Sequence, residues 1–291
     1  MMKVPSSTSQ LLEQLDEQGY VILQGILQPA VVAGVRNDME EWVNRQAHQL
    51  RAQGVIDQLF KDEPFETRLI RLYANCPDRL PKTIRQELHL RGFFPLFFHR
   101  HLLDLAEARL GSEIRLYPNY SVRPKLPDHP ATQVLWHQDA GYTASGQHGH
   151  DPRAGDTTAD KLRMVNMWTP LVPARPENGC MQFIPRTHKL GLVPHLSKEH
   201  YLEIIDQEIQ PRLKDAIDVI LDPGDVVLFS NLLFHMGLPN RSKTVRWSCD
   251  WRYQDARQST MRTEQGHIAR SHAHPATEVK SAEQWTTLSF S

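Results

Sequence analysis

The sequence predicts a mainly β domain flanked by helices, an α+β architecture, on three observations. Helical periodicity dominates the first third of the chain, short β-rich runs fill the middle, and proline, glycine and asparagine punctuate those runs at regular spacing. A chain of 291 residues can bury one elaborated core, so residues 1–291 read as a single domain. Helical support is expected in 1–110, the β core in about 114–256 and a tail in 257–291.

In the first third, Tyr20-Val-Ile-Leu23 is a short strand candidate. Val32, Val35, Met39, Trp42 and Val43 then recur at helical spacing, with Glu40, Glu41 and Arg45 between them and Pro29 suited to the first turn. A second helical region is expected from Thr83 to Arg109, broken near Gly92 and Pro95, with an apolar stripe of Leu102, Leu103, Ala106 and Leu110. The β-rich runs are Ile114 to Val122, Thr132 to His137, Met164 to Thr169, Met181 to Ile184, Val226 to Phe229 and Thr244 to Tyr253, a spacing that favours a sandwich or barrel. Two insertions interrupt them: Thr143 to Lys161 is polar and glycine-rich, and Gly191 to Asp218 is charged, with helix expected around His200 to Glu208. Loops of that length are often lids or binding elements.

The 33 basic residues nearly cancel the 34 acidic ones. Neither nucleic acid nor an anionic membrane is therefore expected as a partner; a small-molecule substrate is, and oligomeric state is unreadable. No leader-like or membrane-spanning apolar run is evident. Cys76, Cys180 and Cys249 lack Cys-x-x-Cys spacing, which argues against a zinc ribbon or disulfide framework and favours the cytoplasm.

Chemistry concentrates in Val134-Leu-Trp-His-Gln-Asp-Ala-Gly-Tyr142. One intervening residue separates His137 from Asp139, and alternation along a strand would turn both to one face. A distant histidine, with His235 as candidate, would complete three ligands on one side of a six-coordinate iron. A His-x-Asp triplet alone is weak, but the chain continues with Asn166-Met-Trp-Thr-Pro-Leu171, Glu177-Asn-Gly-Cys-Met-Gln-Phe-Ile-Pro-Arg-Thr-His-Lys189 and Asp222-Pro-Gly-Asp-Val-Val-Leu-Phe-Ser-Asn-Leu-Leu-Phe-His235, then Arg246.

This ordered set resembles the phytanoyl-CoA dioxygenase family of Fe(II)- and 2-oxoglutarate-dependent oxygenases, from Gly19-Tyr20 through Tyr253. The resemblance implies a double-stranded β-helix, a cupin-like jelly roll, whose mouth holds Fe(II) on His137, Asp139 and His235. It also implies 2-oxoglutarate and O2 as co-substrates, with release of succinate and CO2 and hydroxylation of an unactivated carbon in a small organic substrate. Imidazoles and one carboxylate suit Fe(II), and three protein ligands leave three positions for reactants. Related halogenases lack the carboxylate, so Asp139 favours hydroxylation.

The far carboxylate of 2-oxoglutarate calls for a guanidinium fork, and Arg246 holds that family position. Periodicity alone would leave Arg246 solvated, because Val245, Trp247, Cys249 and Trp251 form the apolar parity and Arg246, Ser248, Asp250 and Arg252 the polar one. A small barrel can instead turn its polar face toward a ligand. Lys125 and Asn119 match places where the family carries polar residues reaching the co-substrate, although Lys125 reads equally well as an exposed strand end. Trp168 could pack against 2-oxoglutarate or simply fill the core.

Asn178-Gly179 and Pro223-Gly224-Asp225 read as turns. Arg186 replaces the glycine of the family's Pro-Gly-Ser-His, and a solvent-facing side chain is expected there. His148 and His150, with Asp151, read as surface residues rather than a second metal site, and Tyr142 is a candidate substrate contact. Two other functions compete: a non-catalytic metal-binding jelly-roll protein, and a divalent-metal hydrolase using the same triad. The first would not require a co-substrate anchor such as Arg246, and the second needs a general base that the sequence does not supply.

Overall fold

Ser7 caps the first helix, α1 (Thr8–Gln18), in a reciprocal capping box with Gln10, and Gly19 ends it at φ 84°. The computed structural model describes residues 7–144, 159, 161–198 and 201–291. Strand β1 (Tyr20–Leu23) follows, then α2 (Pro29–Ala52), with a proline in its first turn and Val31, Val35, Met39, Trp42, Val43, Ala47 and Leu50 buried. Helices α3 (Phe65–Leu72), α4 (Phe94–Phe97) and α5 (Arg100–Leu110) complete the support layer.

The rest is mostly strand: β2 (Glu113–Leu116), β3 (Ser121–Lys125), β4 (Val134–His137), the short helix α6 (Asp139–Ala144), β5 (Met164–Pro170), β6 (Met181–Ile184), β7 (His195–Ser197) and β8 (Leu202–Ile204). After a helical turn, α7 (Asp206–Ile209), come β9 (Ile217–Val219), β10 (Val226–Ser230), β11 (Phe234–Gly237), β12 (Arg246–Asp255), β13 (His267–Ser271) and α8 (Ala282–Thr287). The larger sheet runs β1-β10-β5-β12-β2-β13, with β3 also paired to β12; the smaller runs β4-β11-β6-β9. Pairing is antiparallel throughout both sheets, and the two sheets face each other as a jelly roll.

Alternation along the strands builds two cores. Trp168, Val227 and Phe229 of the larger sheet meet Met181, Phe183 and Val219 of the smaller sheet inside the roll. Trp247, Cys249, Trp251 and Tyr253 point the other way and pack with the apolar stripe of α2 and with Phe93, Phe97 and Leu102. Every residue of β12 is buried, polar and apolar alike.

Several sequence expectations change. Residues 83–90 are not helical, because the N–H and C=O of Ile84 exchange 2.9 Å hydrogen bonds with Val122, and this pairing overrides local propensity. Helix α3 lies within the expected helical support, at a place where no individual element was assigned. The run from 114 to 122 splits at Pro118, which cannot continue the ladder. The expected tail contributes β13, paired to β2, and the fully buried Trp285. Residues 199–200 lie outside the described residues; of the helix expected around His200 to Glu208, 202–204 instead pair with β7 as a hairpin, and only the end is helical, in α7. Most of the 143–161 insertion, including His148, His150 and Asp151, also lies outside the described residues. Arg186 adopts φ 68°, the left-handed region that explains a glycine there in the family, and its exposed side chain pairs with Glu17 at 3.3 Å.

Candidate metal and co-substrate site

β4 and β11 place His137 and His235 directly opposite each other, with ring centroids 4.0 Å apart. Asp139 reaches them by a different route from strand alternation. β4 ends at His137, and Asp139 is the first residue of α6, where the chain folds over the end of the strand. Its Oδ1 lies 3.6 Å from Nε2 of His137 and 3.9 Å from Nε2 of His235. One nitrogen or oxygen from each residue falls within 4.8 Å of the others, a group that could hold a metal ion.

The protonation pattern suits such an ion. Nδ1 of His137 donates to the Leu135 carbonyl at 2.7 Å and Nδ1 of His235 to the Leu233 carbonyl at 2.8 Å. A carbonyl only accepts, so Nδ1 carries a proton in each ring, which leaves Nε2 as the atom each ring offers to the site. Burial, reinforced by His137, pushes His235 down to about 3, which keeps its imidazole neutral. The other oxygen of Asp139, Oδ2, accepts from Arg252 at 2.7 Å and from Asn166 at 2.8 Å. Although burial opposes ionisation, the Arg252 guanidinium and the two histidines hold the Asp139 carboxyl well below the usual carboxylate range.

Arg252 belongs to a longer chain of charge. Its Nη1 contacts Asp250 at 3.3 Å and donates to the Asn119 carbonyl at 2.5 Å. Asp250 also accepts from Ser121 at 2.6 Å and from Nε of Arg123 at 2.8 Å. Asn119 therefore supports Arg252 through its backbone, and its buried Oδ1 has no hydrogen-bond partner among the described residues.

Further along the inner face, Arg246 sits directly across from Lys125. Both are buried. Arg246 donates to Ser248 Oγ at 2.5 Å and to the Gly179 carbonyl at 3.0 Å, lies over the Trp168 ring at 5.3 Å, and has a buried Nε with no partner among the described residues. Lys125 donates to the Gly237 carbonyl at 3.0 Å. Burial, then the neighbouring Arg246 and Arg123, push Lys125 down to about 6, and burial brings Arg246 down to about 10. Among the described residues, neither cation has an ion-pair partner. Gly179 and Gly237 make the room: a Cβ would lie 2.8 Å from Lys125 Cδ at the first and 2.9 Å from its Nζ at the second. A buried guanidinium with an unused donor, beside an amine that an arriving carboxylate would protonate, fits a dianionic co-substrate.

Four contributors escaped the sequence reading as site residues: Arg252, Asn166, Asp250 and His195. The last is buried, its Nδ1 donating to the Val193 carbonyl at 2.8 Å while Nε2 accepts the Gln138 N–H at 3.1 Å. That bond grips the residue between the two upstream ligands. Burial pushes His195 down to about 4, so its ring stays a neutral acceptor. Tyr142 meets the His137 ring edge-on at 5.2 Å, and its hydroxyl accepts from the Leu202 N–H at 2.9 Å.

The phytanoyl-CoA dioxygenase (PhyH) family model matches residues 15–248. The chain belongs to this family. It is accordingly a 2-oxoglutarate-dependent non-heme oxygenase, with iron and 2-oxoglutarate as its cofactor set. Relatives of this PhyH-family protein include the 1-deoxypentalenic acid 11-beta-hydroxylase of Streptomyces arenae, 26% identical over 83% of this chain and 79% of that one. A methylphosphonate hydroxylase of Gimesia maris is 35% identical, over 31% of this chain and 33% of its own. In fold, the PhyH-family chain is similar to EctD from S. alaskensis, solved with 2-oxoglutarate and 5-hydroxyectoine, at TM-score 0.59 and 17% identity over 97% of this chain and 86% of that chain. It is also similar to the carbocyclase SnoK from nogalamycin biosynthesis, at TM-score 0.52 and 20% identity over 87% of each chain. No helix among the described residues is long and apolar enough to cross a membrane.

Proposed function

We propose that this protein hydroxylates an unactivated carbon of a small organic substrate, with His137, Asp139 and His235 holding Fe(II) and Arg246 holding the far carboxylate of 2-oxoglutarate. The observation that carries this reading is the pairing of two features on one inner face. Two imidazole Nε2 atoms aim at one carboxylate oxygen, and farther along lies a buried Arg246–Lys125 pair with no acid to neutralise it among the described residues. Bound there, the iron supplies dioxygen activation coupled to decarboxylation of 2-oxoglutarate to succinate and CO2.

The protein's own work is orientation and exclusion of water. Leu135 and Leu233 fix the imidazole tautomers; Arg252 and Asn166 occupy Oδ2 of Asp139 and leave Oδ1 toward the metal group. Arg246 and Lys125 supply charge-assisted donors, and Trp168 walls the same space. Asp139 takes the position that a halide would need, which favours hydroxylation. A hydrolase or an inert metal-binding roll would use the triad but has no use for the second cation pair.

The test is anaerobic addition of Fe(II) and 2-oxoglutarate, read as a metal-to-ligand charge-transfer absorption, followed by oxygen and a succinate assay. Band and succinate are expected from the wild type, and neither from Asp139→Ala. Their absence from the wild type across a broad substrate panel overturns the reading.

A further inference from the structure

Around Arg123, on the inner face of β3, guanidinium groups outnumber acids among the described residues. Asp250 serves Arg123 and Arg252 together, and Asp139 belongs to the metal group. Two more arginines enter the same region. Arg85 follows Ile84, whose bridge to Val122 lies next to the Ser121–Asp250 pair of the sheet, and it feels the charges of Asp250 and Arg123. Arg262 lies over the Tyr117 ring at 5.9 Å, and its buried Nη1 has no hydrogen-bond partner among the described residues.

Arg85 makes no side-chain hydrogen bond or ion pair among the described residues. Burial brings it down to about 10, and nearby Arg123, Arg252 and Arg262 press the same way against Asp250. Arg123 spends Nε on Asp250, leaves both terminal nitrogens without a described partner, and keeps 31% of its side chain exposed. Among the described residues, the surroundings of Arg85 thus hold three further guanidiniums, Arg123, Arg252 and Arg262, and one carboxylate outside the metal group, Asp250. Partly buried cations without counter-charge are costly, and they are retained where an anion completes them.

We propose that Arg85 and Arg123 bind an oxyanion head group of the substrate, a carboxylate, phosphonate or phosphate, and so aim an attached carbon at the iron site. This rests on the oxygenase reading above and names its substrate class. The geometry is short-range: Arg123 meets Asp250 at 2.8 Å, Asp250 meets Arg252 at 3.3 Å, and Arg252 meets Asp139 at 2.7 Å. A head group on the free edge of Arg123 would lie three ion pairs from the Asp139 carboxylate. The Arg246–Lys125 pair lies elsewhere on the face, so the two anions need not compete. A guanidinium fork also gives the head group a direction, which a lone ammonium would not.

Binding of hexanoate, hexylphosphonate and hexyl phosphate is compared with that of neutral hexanamide, by calorimetry on the full chain with and without Fe(II) and 2-oxoglutarate, and by displacement of the charge-transfer band. At least one anion should bind about tenfold or more tighter than hexanamide, and the tightest identifies the head group. Arg85→Gln should remove most of that preference and Arg85→Lys should retain part of it, while 2-oxoglutarate affinity moves far less than anion affinity. Equal binding of anions and amide, no binding of any probe, or an anion preference unchanged in both Arg85→Gln and Arg123→Gln overturns the proposal. A missing charge-transfer band with an intact anion preference would instead sink the oxygenase reading and leave an anion site.

Discussion

Arg246 and Arg252 share one strand and one face of it, and both are buried, yet their surroundings are opposite. Arg252 lies between two carboxylates, Asp139 and Asp250, which outweigh the cost of burial and raise its pKa above the usual arginine value. Arg246 meets a hydroxyl, a carbonyl and an indole face, keeps one nitrogen without a partner among the described residues, and sits across from the Lys125 amine. A compensated cation is structural cement, because removing it strands its partners. An uncompensated one is an unfinished ion pair, and its missing half must come from solution.

The sharpest way to break this contrast is to neutralise each arginine in turn. Arg252→Met should cost about 3–5 kcal/mol of stability by leaving Asp139 and Asp250 buried without their shared partner, measurable by urea unfolding of metal-free protein. Arg246→Met should leave metal-free stability equal or higher, yet weaken 2-oxoglutarate binding by about thirtyfold or more, the equivalent of roughly 2 kcal/mol for a buried charge-assisted contact. Equal stability losses in the two variants would erase the distinction.

Lys125 sharpens it through pH. Its pKa, near 6 without an anion, lies far below the ordinary lysine value, with Arg246 and Arg123 facing it and the Cys180 thiol also nearby. Between those values the unfolded chain holds a proton that the folded chain lacks, so this group makes ligand-free stability rise with pH above about 6. A carboxylate arriving beside Lys125 restores the proton. 2-Oxoglutarate binding should therefore take up protons at pH 7–8 and weaken as pH rises, by up to about tenfold per unit. Calorimetry in buffers of different ionisation enthalpy reads the uptake, and Lys125→Met should abolish it.

The smallest effect falls on His195, whose hydrogen bond to the site is to the Gln138 N–H. His195→Ala should weaken Fe(II) binding by about tenfold, with 2-oxoglutarate affinity for the iron-loaded protein nearly unchanged. Metal competition titration separates this from a general loss of folding.

What the sequence could announce was residue type in order, and that covers the histidines, the first carboxylate and Arg246. It also separated the two parities of β12, because Trp247 and Trp251 alternate with Arg246, Asp250 and Arg252. It could not say which charged residues meet, since Arg252 finds Asp139 and Asn166 only through a register linking distant strands. Asp139 itself was reached through the wrong geometry: alternation would continue β4, whereas α6 begins there. His195 carried no signal, as its role depends on a backbone amide that every non-proline residue possesses. Ile84 and His267 belong to segments whose strand character comes from their partners, Val122 and Leu116, more than from local pattern.

β4 pairs with β11 alone among the described strands of its sheet, which makes it an edge of only four residues. Its last residue, His137, faces His235 across that single seam. A metal ion gripped by both would act as a removable rivet on a marginal strand, closing a long stretch of chain for as long as it stays bound. Chelation should then loosen β4 before the helix-backed sheet, so amide exchange would mark the roll's rim as the first part to open and the last to set.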